Sequence, residues 1–289
     1  MCCDGRVSDN RPERLRLLAE QLASEAAEFV RRRRPQIIGD TGPGGASVRT
    51  KSSPTDPVTL ADTETEQLLR DRLARLRPGE SVLGEEGGRT NSGDAVRWVL
   101  DPIDGTVNFL YGIPSYAVSI AAQVDGVSVA GAVADVAGGR VYSAALGLGA
   151  HVRADGERKP LTCNRVTDLS LALLGTGFGY AKERRAAQAA LLARMLPEVR
   201  DVRRMGSAAL DLCMVAAGRL DAYYEHGLQV WDWAAGALIA AEAGALVMLP
   251  ASEGSGDRAD LLLAAAPGVG GSLIEALERN GGLPSLGCG

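Results

Sequence analysis

The chain has 289 residues, 46% hydrophobic and 23% charged, which excludes extensive disorder and allows one large domain or two moderate ones. A net charge of -5, a pI near 5.3 and 4% aromatic residues exclude nucleic-acid binding by bulk electrostatics or aromatic stacking. With only two histidines, His151 and His226, a three-histidine zinc site is excluded, so carboxylates must carry any enzyme chemistry.

Five scattered cysteines (Cys2, Cys3, Cys163, Cys213, Cys288) read as reduced thiols of a cytoplasmic protein. The N-terminal MCCDGRVSDN has no signal-peptide core, and no apolar run reaches the roughly 18 residues of a membrane span.

Leu15, Leu18, Leu22, Ala26 and Phe29 predict a helix over 12–33, ending in Arg31 to Arg34 as a solvated terminus and stopped by Pro35. Residues 39–57, rich in Gly, Pro, Ser and Thr, predict a loop that is mobile or serves as an active-site flap. Thr59 predicts the N-cap of a helix over 60–76, ended by Pro78-Gly79. A flexible stretch is expected at 87–95, then a strand at 96–100. Strands at 115–124, 127–137 and 140–145, turning at Asp125-Gly126 and Gly138-Gly139, predict an antiparallel meander. Later strands are expected near 171–175, 220–225, 246–249 and 260–265. Helices are expected near 183–196, 207–217, 232–243 and 271–279, with a frayed tail after them. Segregated helices and antiparallel strands predict layered α+β sheets.

The strongest chemical signal is the run Trp98 to Thr106, containing DPIDGT at 101–106. Asp101 ends a buried strand and Asp104 follows a proline turn, so two carboxylates can meet a hard cation. Gly105 and Thr106 open a short helix whose amides can bind phosphate. The bland alternative is an Asx-type turn with two solvated acids. Gly84-Glu85-Glu86-Gly87 places acids after an apolar strand, a weak signal alone. In Trp231-Asp232-Trp233, Asp232 reads as an N-cap that can also ligate a metal.

Together with KSSPTDPVTLAD at 51–62, WDWAAG at 231–236 and GSAALDLCMVAAGRLDAYYE at 206–225, these segments resemble the inositol monophosphatase family of Mg²⁺-dependent, lithium-sensitive phosphatases over about residues 12–280. The likeness is greatest to its bacterial SuhB-type members. It implies a layered αβαβα sandwich of the inositol monophosphatase/fructose bisphosphatase type and a homodimer. An N-terminal α+β half (1–155) would carry most metal ligands. A C-terminal α/β half (156–280) would carry the substrate-side residues and Asp232, followed by a tail (281–289), with both halves forming one unit. By the same resemblance, Glu85, Asp101 and the Ile103 carbonyl hold one Mg²⁺, and Asp101, Asp104 and Asp232 a second. A third, weaker ion lies near Glu85. Thr106 and Asp62 orient and deprotonate the attacking water, with Lys51 nearby on the loop. Gly105 and Thr106 bind phosphate. Gly206, Ser207, Ala208 and Glu225 contact the alcohol, with Arg203 beside them.

Inositol 1-phosphate is the implied substrate. Fructose 1,6-bisphosphate, histidinol phosphate, NADP and 3′-phosphoadenosine phosphate are the alternatives within the family. A haloacid-dehalogenase-type phosphatase is excluded, because its two aspartates are two apart and these are three apart. A regulatory protein binding transcription machinery is the rival of another class; protein partners are compatible with this sequence, direct RNA binding is not.

Overall fold

The computed structural model describes residues 9–39, 48–50, 57–90, 96–250 and 261–283. Helix α1 (Pro12–Ile38) outruns its expected stop and continues through Pro35. Pro35 cannot donate to the preceding turn, but burial of Ile37 and Ile38 keeps the last turn helical. The expected solvated arginine terminus holds for the exposed Arg31 and Arg32 and is corrected for Arg33 and Arg34, which are half-buried. Arg33 pairs with both oxygens of Glu64 (2.6 Å each), Arg31 donates to the Val136 carbonyl (3.2 Å), and Arg34 donates to that of Phe109 (2.9 Å).

Strands β1 (Val48–Thr50) and β2 (Pro57–Thr59) pair antiparallel within the segment expected to be all loop. The rest of that segment, except Gly39, lies outside the described residues. Helix α2 (Leu60–Leu76) starts at Thr59 as predicted, with a capping box closed by Asp62.

Eight strands then build the larger sheet. They are β3 (Ser81–Gly84), β4 (Gly88–Arg89), β5 (Val96–Asp104), β6 (Ala117–Val124), β7 (Val127–Asp135), β8 (Arg140–Ala145), β9 (Ala150–Ala154) and β10 (Glu157–Pro160). Their order is β10-β9-β8-β7-β6-β5-β3-β4, with β3 and β5 parallel and the other pairs antiparallel. The predicted meander is present, with Asp125 and Gly126 at φ 49° and 80° in a two-residue turn. Strand β4 occupies part of the stretch expected to be flexible. Alternate residues of the central strands serve two cores. Trp98, Leu100, Val118 and Ile120 pack under α1 and α2, while Val99, Ala117, Ala121 and Val133 face the opposite layer.

The second sheet contains β11 (Leu173–Thr176), β12 (Asp201–Arg203), β13 (Ala222–His226), β14 (Leu246–Met248) and β15 (Leu261–Ala265), in the order β12-β11-β13-β15-β14. Here β12-β11-β13 run parallel, while β13-β15-β14 run antiparallel. Crossover helices α4 (Lys182–Met195) and α5 (Ala208–Ala216) make the parallel pairings possible. Helix α6 (Val230–Glu242) packs beside α5 and contacts both sheets. Its approach requires small residues: a Cβ on Gly131 would lie 3.0 Å from Ala235, and one on Gly236 2.9 Å from Leu212. Helix α7 (Pro267–Arg279) covers β15. The result is an α+β layered sandwich. The start of the tail is docked rather than frayed, since His226 Nε2 donates to the Gly282 carbonyl (2.8 Å). Among the described residues, no helix is long and apolar enough to cross a membrane.

Candidate active site

The site begins with an irregularity in β5. Asp101 pairs with Ser119 and Asp104 with Ala117, so three steps on β5 match two on β6. This is a β-bulge. Side chains three apart on a regular strand point to opposite faces, and the extra residue brings Asp101 and Asp104 to the same side. Pro102 fits there because it has no N–H to offer the ladder. Ile103 N donates to Asp101 Oδ1 (3.0 Å), so the Asx-type turn exists alongside the carboxylate cluster rather than instead of it. Gly105 has φ 93°, and a Cβ on it would lie 2.9 Å from the Ser115 carbonyl oxygen, which only glycine avoids. The short helix α3 (Thr106–Tyr111) follows, with Thr106 Oγ1 3.1 Å from Asp62 Oδ1 and 3.0 Å from the Ile103 carbonyl.

Asp232 is not the N-cap predicted for it. Helix α6 starts two residues earlier, and Asp232 Oδ2 accepts the N–H of the cap Gln229 (2.7 Å). Asp62 holds the Thr59 N–H in the same way on α2 (2.8 Å). Asp104 Oδ2 accepts from Ser207 Oγ (2.6 Å) and Ala209 N (2.7 Å) at the start of α5. Three helix starts thus fix three carboxylates in place.

Asp101, Asp104 and Asp232 each offer an oxygen, all within 4.8 Å of one another. A cluster of oxygen donors with this charge fits a hard divalent cation. Its electrostatics agree. Desolvation, then the charges of Glu85 and Asp104, push the Asp232 carboxyl well above its ordinary range. Desolvation, reinforced by Glu85, brings Asp104 up to about 6. Burial takes Asp62 up to about 7 against its hydrogen bonds from Thr59. Groups pushed apart from their usual values by burial and like charge mark functional clusters.

Glu85 is set beside these acids by Glu66 of α2. The Glu66 carboxylate accepts from Glu86 N and Gly87 N (2.8 Å each) and pairs with Arg70 (2.7 Å). A Cβ on Gly84 would fall 2.4 Å from it, which explains the glycine before Glu85. A cavity of about 530 Å³ joins Glu85, Asp104, Gly105 and Asp232 to Ser207, Asp211, Glu225 and Arg204. Glu225, half-buried, accepts from the Tyr223 hydroxyl (2.5 Å). Desolvation brings its carboxyl up to about 7, with Arg204 opposing. A Cβ on Gly177 would collide with its Oε2 at 1.8 Å.

The inositol monophosphatase family model matches residues 11–281. The chain belongs to the inositol monophosphatase family. It is 68% identical to "Inositol-1-monophosphatase" of Mycobacterium leprae, over 97% of this chain and 99% of that protein. The solved structure "Mycobacterium tuberculosis SuhB" matches with a TM-score of 0.82 at 61% identity, covering 95% of this chain and all of that one. "Nus factor SuhB" of Pasteurella multocida is 40% identical over 68% of this chain and 73% of its own length. The chain is therefore a phosphatase, and its sandwich is the one this family shares.

Of the residues singled out in this family member's sequence, Glu85, Asp104, Gly105, Gly206, Ser207, Ala208, Glu225 and Asp232 line the cavity. Asp62, Asp101, Ile103 and Thr106 stand buried behind it, tied together by the bonds above. Lys51 lies outside the described residues. Arg203 is not at the cavity: it sits on edge strand β12, about half exposed, paired with Asp201 at 2.6 Å. Its neighbour Arg204 lines the cavity instead, because adjacent residues of an extended chain point opposite ways. Sequence reasoning missed Glu66, Arg204 and Asp211. The Glu66/Arg70 spacing on a helix was a readable pairing signal for the first; the other two carry none.

Proposed function

We propose that this phosphatase hydrolyses inositol 1-phosphate to inositol and inorganic phosphate with Mg²⁺ as cofactor. The observation that carries this reading is the three-carboxylate cluster, of which Asp104 and Asp232 line the cavity that also holds Glu225. Asp101, Asp104 and Asp232 would hold one ion; Glu85, Asp101 and the Ile103 carbonyl would hold another, with room for a third near Glu85. Bound there, Mg²⁺ supplies Lewis-acid activation of water and neutralises charge on the phosphoryl oxygens.

The chain's own groups do the rest. Thr106 Oγ1 takes a proton from the attacking water as it passes its own to Asp62 Oδ1, 3.1 Å away. A carboxyl brought to about 7 is suited to accept that proton near neutral pH. Gly105 and Thr106 amides hold the phosphate, and Glu225 accepts ring hydroxyls of the alcohol. The name of the M. leprae relative supports the substrate. A homodimeric state and inhibition by Li⁺ complete the reading.

The test is phosphate release from inositol 1-phosphate, fructose 1,6-bisphosphate, NADP and 3′-phosphoadenosine phosphate, with Mg²⁺ and with EDTA. Preferred hydrolysis of inositol 1-phosphate, abolished by EDTA, is expected. Preference for another ester, or undiminished turnover in EDTA, overturns it. A second role, binding transcription machinery, is supported by the name of the Pasteurella relative. Pull-downs from lysate with wild type and Asp101→Asn separate it from catalysis.

A further inference from the structure

Asp211 is a carboxylate that the chemistry above leaves unused. It lies on α5, one turn beyond the cap Ser207, and is 1% exposed. It nevertheless lines the same cavity as Ser207, Arg204 and Glu225. Its Oδ1 is buried and, among the described residues, accepts a hydrogen bond from no donor. The nearby hydroxyls are already committed, Ser207 to Asp104 and Tyr223 to Glu225. Buried acceptors without a donor are uncommon and call for an explanation. The carboxyl torsion is broad and nearly two-fold, so either oxygen can face the cavity.

The charges around it point the same way. Desolvation, then the charge of Glu225, push the Asp211 carboxyl up, while Arg204 opposes. Two acids on one cavity, Asp211 with an oxygen that has no donor and Glu225 with only the Tyr223 hydroxyl among the described residues, are complemented by a ligand that brings donors. Hydroxyl groups do this; apolar or aryl groups do not.

We propose that Asp211 is a specificity-determining residue, a second acceptor beside Glu225, so that the two carboxylates bind two hydroxyls of a polyol leaving group. This deepens the inositol 1-phosphate reading and rests on it. The pair gives the site a preference for leaving groups with several hydroxyls over those with none.

The test compares wild type, Asp211→Asn and Asp211→Ala on inositol 1-phosphate, glucitol 6-phosphate and 4-nitrophenyl phosphate. Hydrogen bonds to a charged acceptor predict that the ratio of kcat/KM for either polyol ester to that for the aryl ester falls about 10–100-fold in both variants, mainly through KM. The aryl ester reports how much folded, competent site each variant contains. A ratio within about twofold of wild type, or equal losses on all three esters, overturns the assignment and leaves Asp211 a structural acid. If wild type prefers another ester to inositol 1-phosphate, the substrate reading fails, and the glucitol-to-aryl ratio still decides Asp211.

Discussion

One inserted residue in β5 turns two aspartates that would diverge into a pair that converges. Asp101→Asn is therefore expected to lower turnover by about 10³-fold or more, roughly 4 kcal/mol, because one carboxylate would serve two ions. Near-wild-type turnover would refute the bridging role. Li⁺ at fixed Mg²⁺ should inhibit through the same three carboxylates, and steady-state insensitivity at tens of millimolar, roughly, would count against it. Gly105→Ala should cost about 1–3 kcal/mol of stability, measured by urea denaturation, because its Cβ meets the Ser115 carbonyl in a left-handed conformation. The DPIDGT run was legible because it sets two acids, a proline turn and a glycine at the end of an apolar strand. The bulge was not, since it is a relation between two strands. Arg203 was misplaced for a similar reason: the facing of an edge strand is set by its partner, not by its own letters.

At the scale of elements, carboxylates at helix starts do the positioning. Thr59 was legible as a cap because the residue precedes an apolar helical pattern, whereas α6 is capped by Gln229, an unusual cap, so Asp232, three residues on, was misread as the cap. Strand β10 was invisible because Glu157, Arg158 and Lys159 show no apolar alternation, although Asp155-Gly156 makes the same kind of turn as Asp125-Gly126 and the short β9 before it alternates. The Glu85 turn depends on α2 through Glu66. Glu66→Ala removes acceptors from two backbone N–H groups and a partner from Arg70. It should destabilise the chain by about 2–4 kcal/mol and lower turnover beyond that loss, read on folded protein at low temperature. Unchanged stability would show that the turn holds itself.

Across the whole molecule, the acids in and behind the cavity make the metal-free fold sensitive to pH. Asp62, near 7, and Asp104, near 6, keep their protons when folded at pH values where the unfolded chain has lost them. The folded state binds more protons over that interval, so these groups contribute stability that is present below about pH 4 and lost as pH rises towards 7. Thermal unfolding in EDTA should show this contribution declining from pH 4.5 to pH 7, at up to about 1.4 kcal/mol per pH unit for each carboxyl. Mg²⁺ should restore Tm most at the upper end, because it binds the deprotonated set. A metal-free Tm that climbs through that interval would overturn the account. Layering was legible from the order of helices and strands, but strand β12 was not, since three residues, Asp201–Arg203, carry no strand pattern of their own.

The cluster closes only when α6 arrives, wedged between two sheets and bringing Asp232 from late in the chain to the bulge of β5. On the ribosome, the first sheet can be complete while this third carboxylate is still unmade. A polypeptide released before Asp232 would carry the bulge and two aspartates but lack the third carboxylate of the cluster. On the proposed metal site, phosphatase activity would require that translation has passed Asp232 and that α6 has docked.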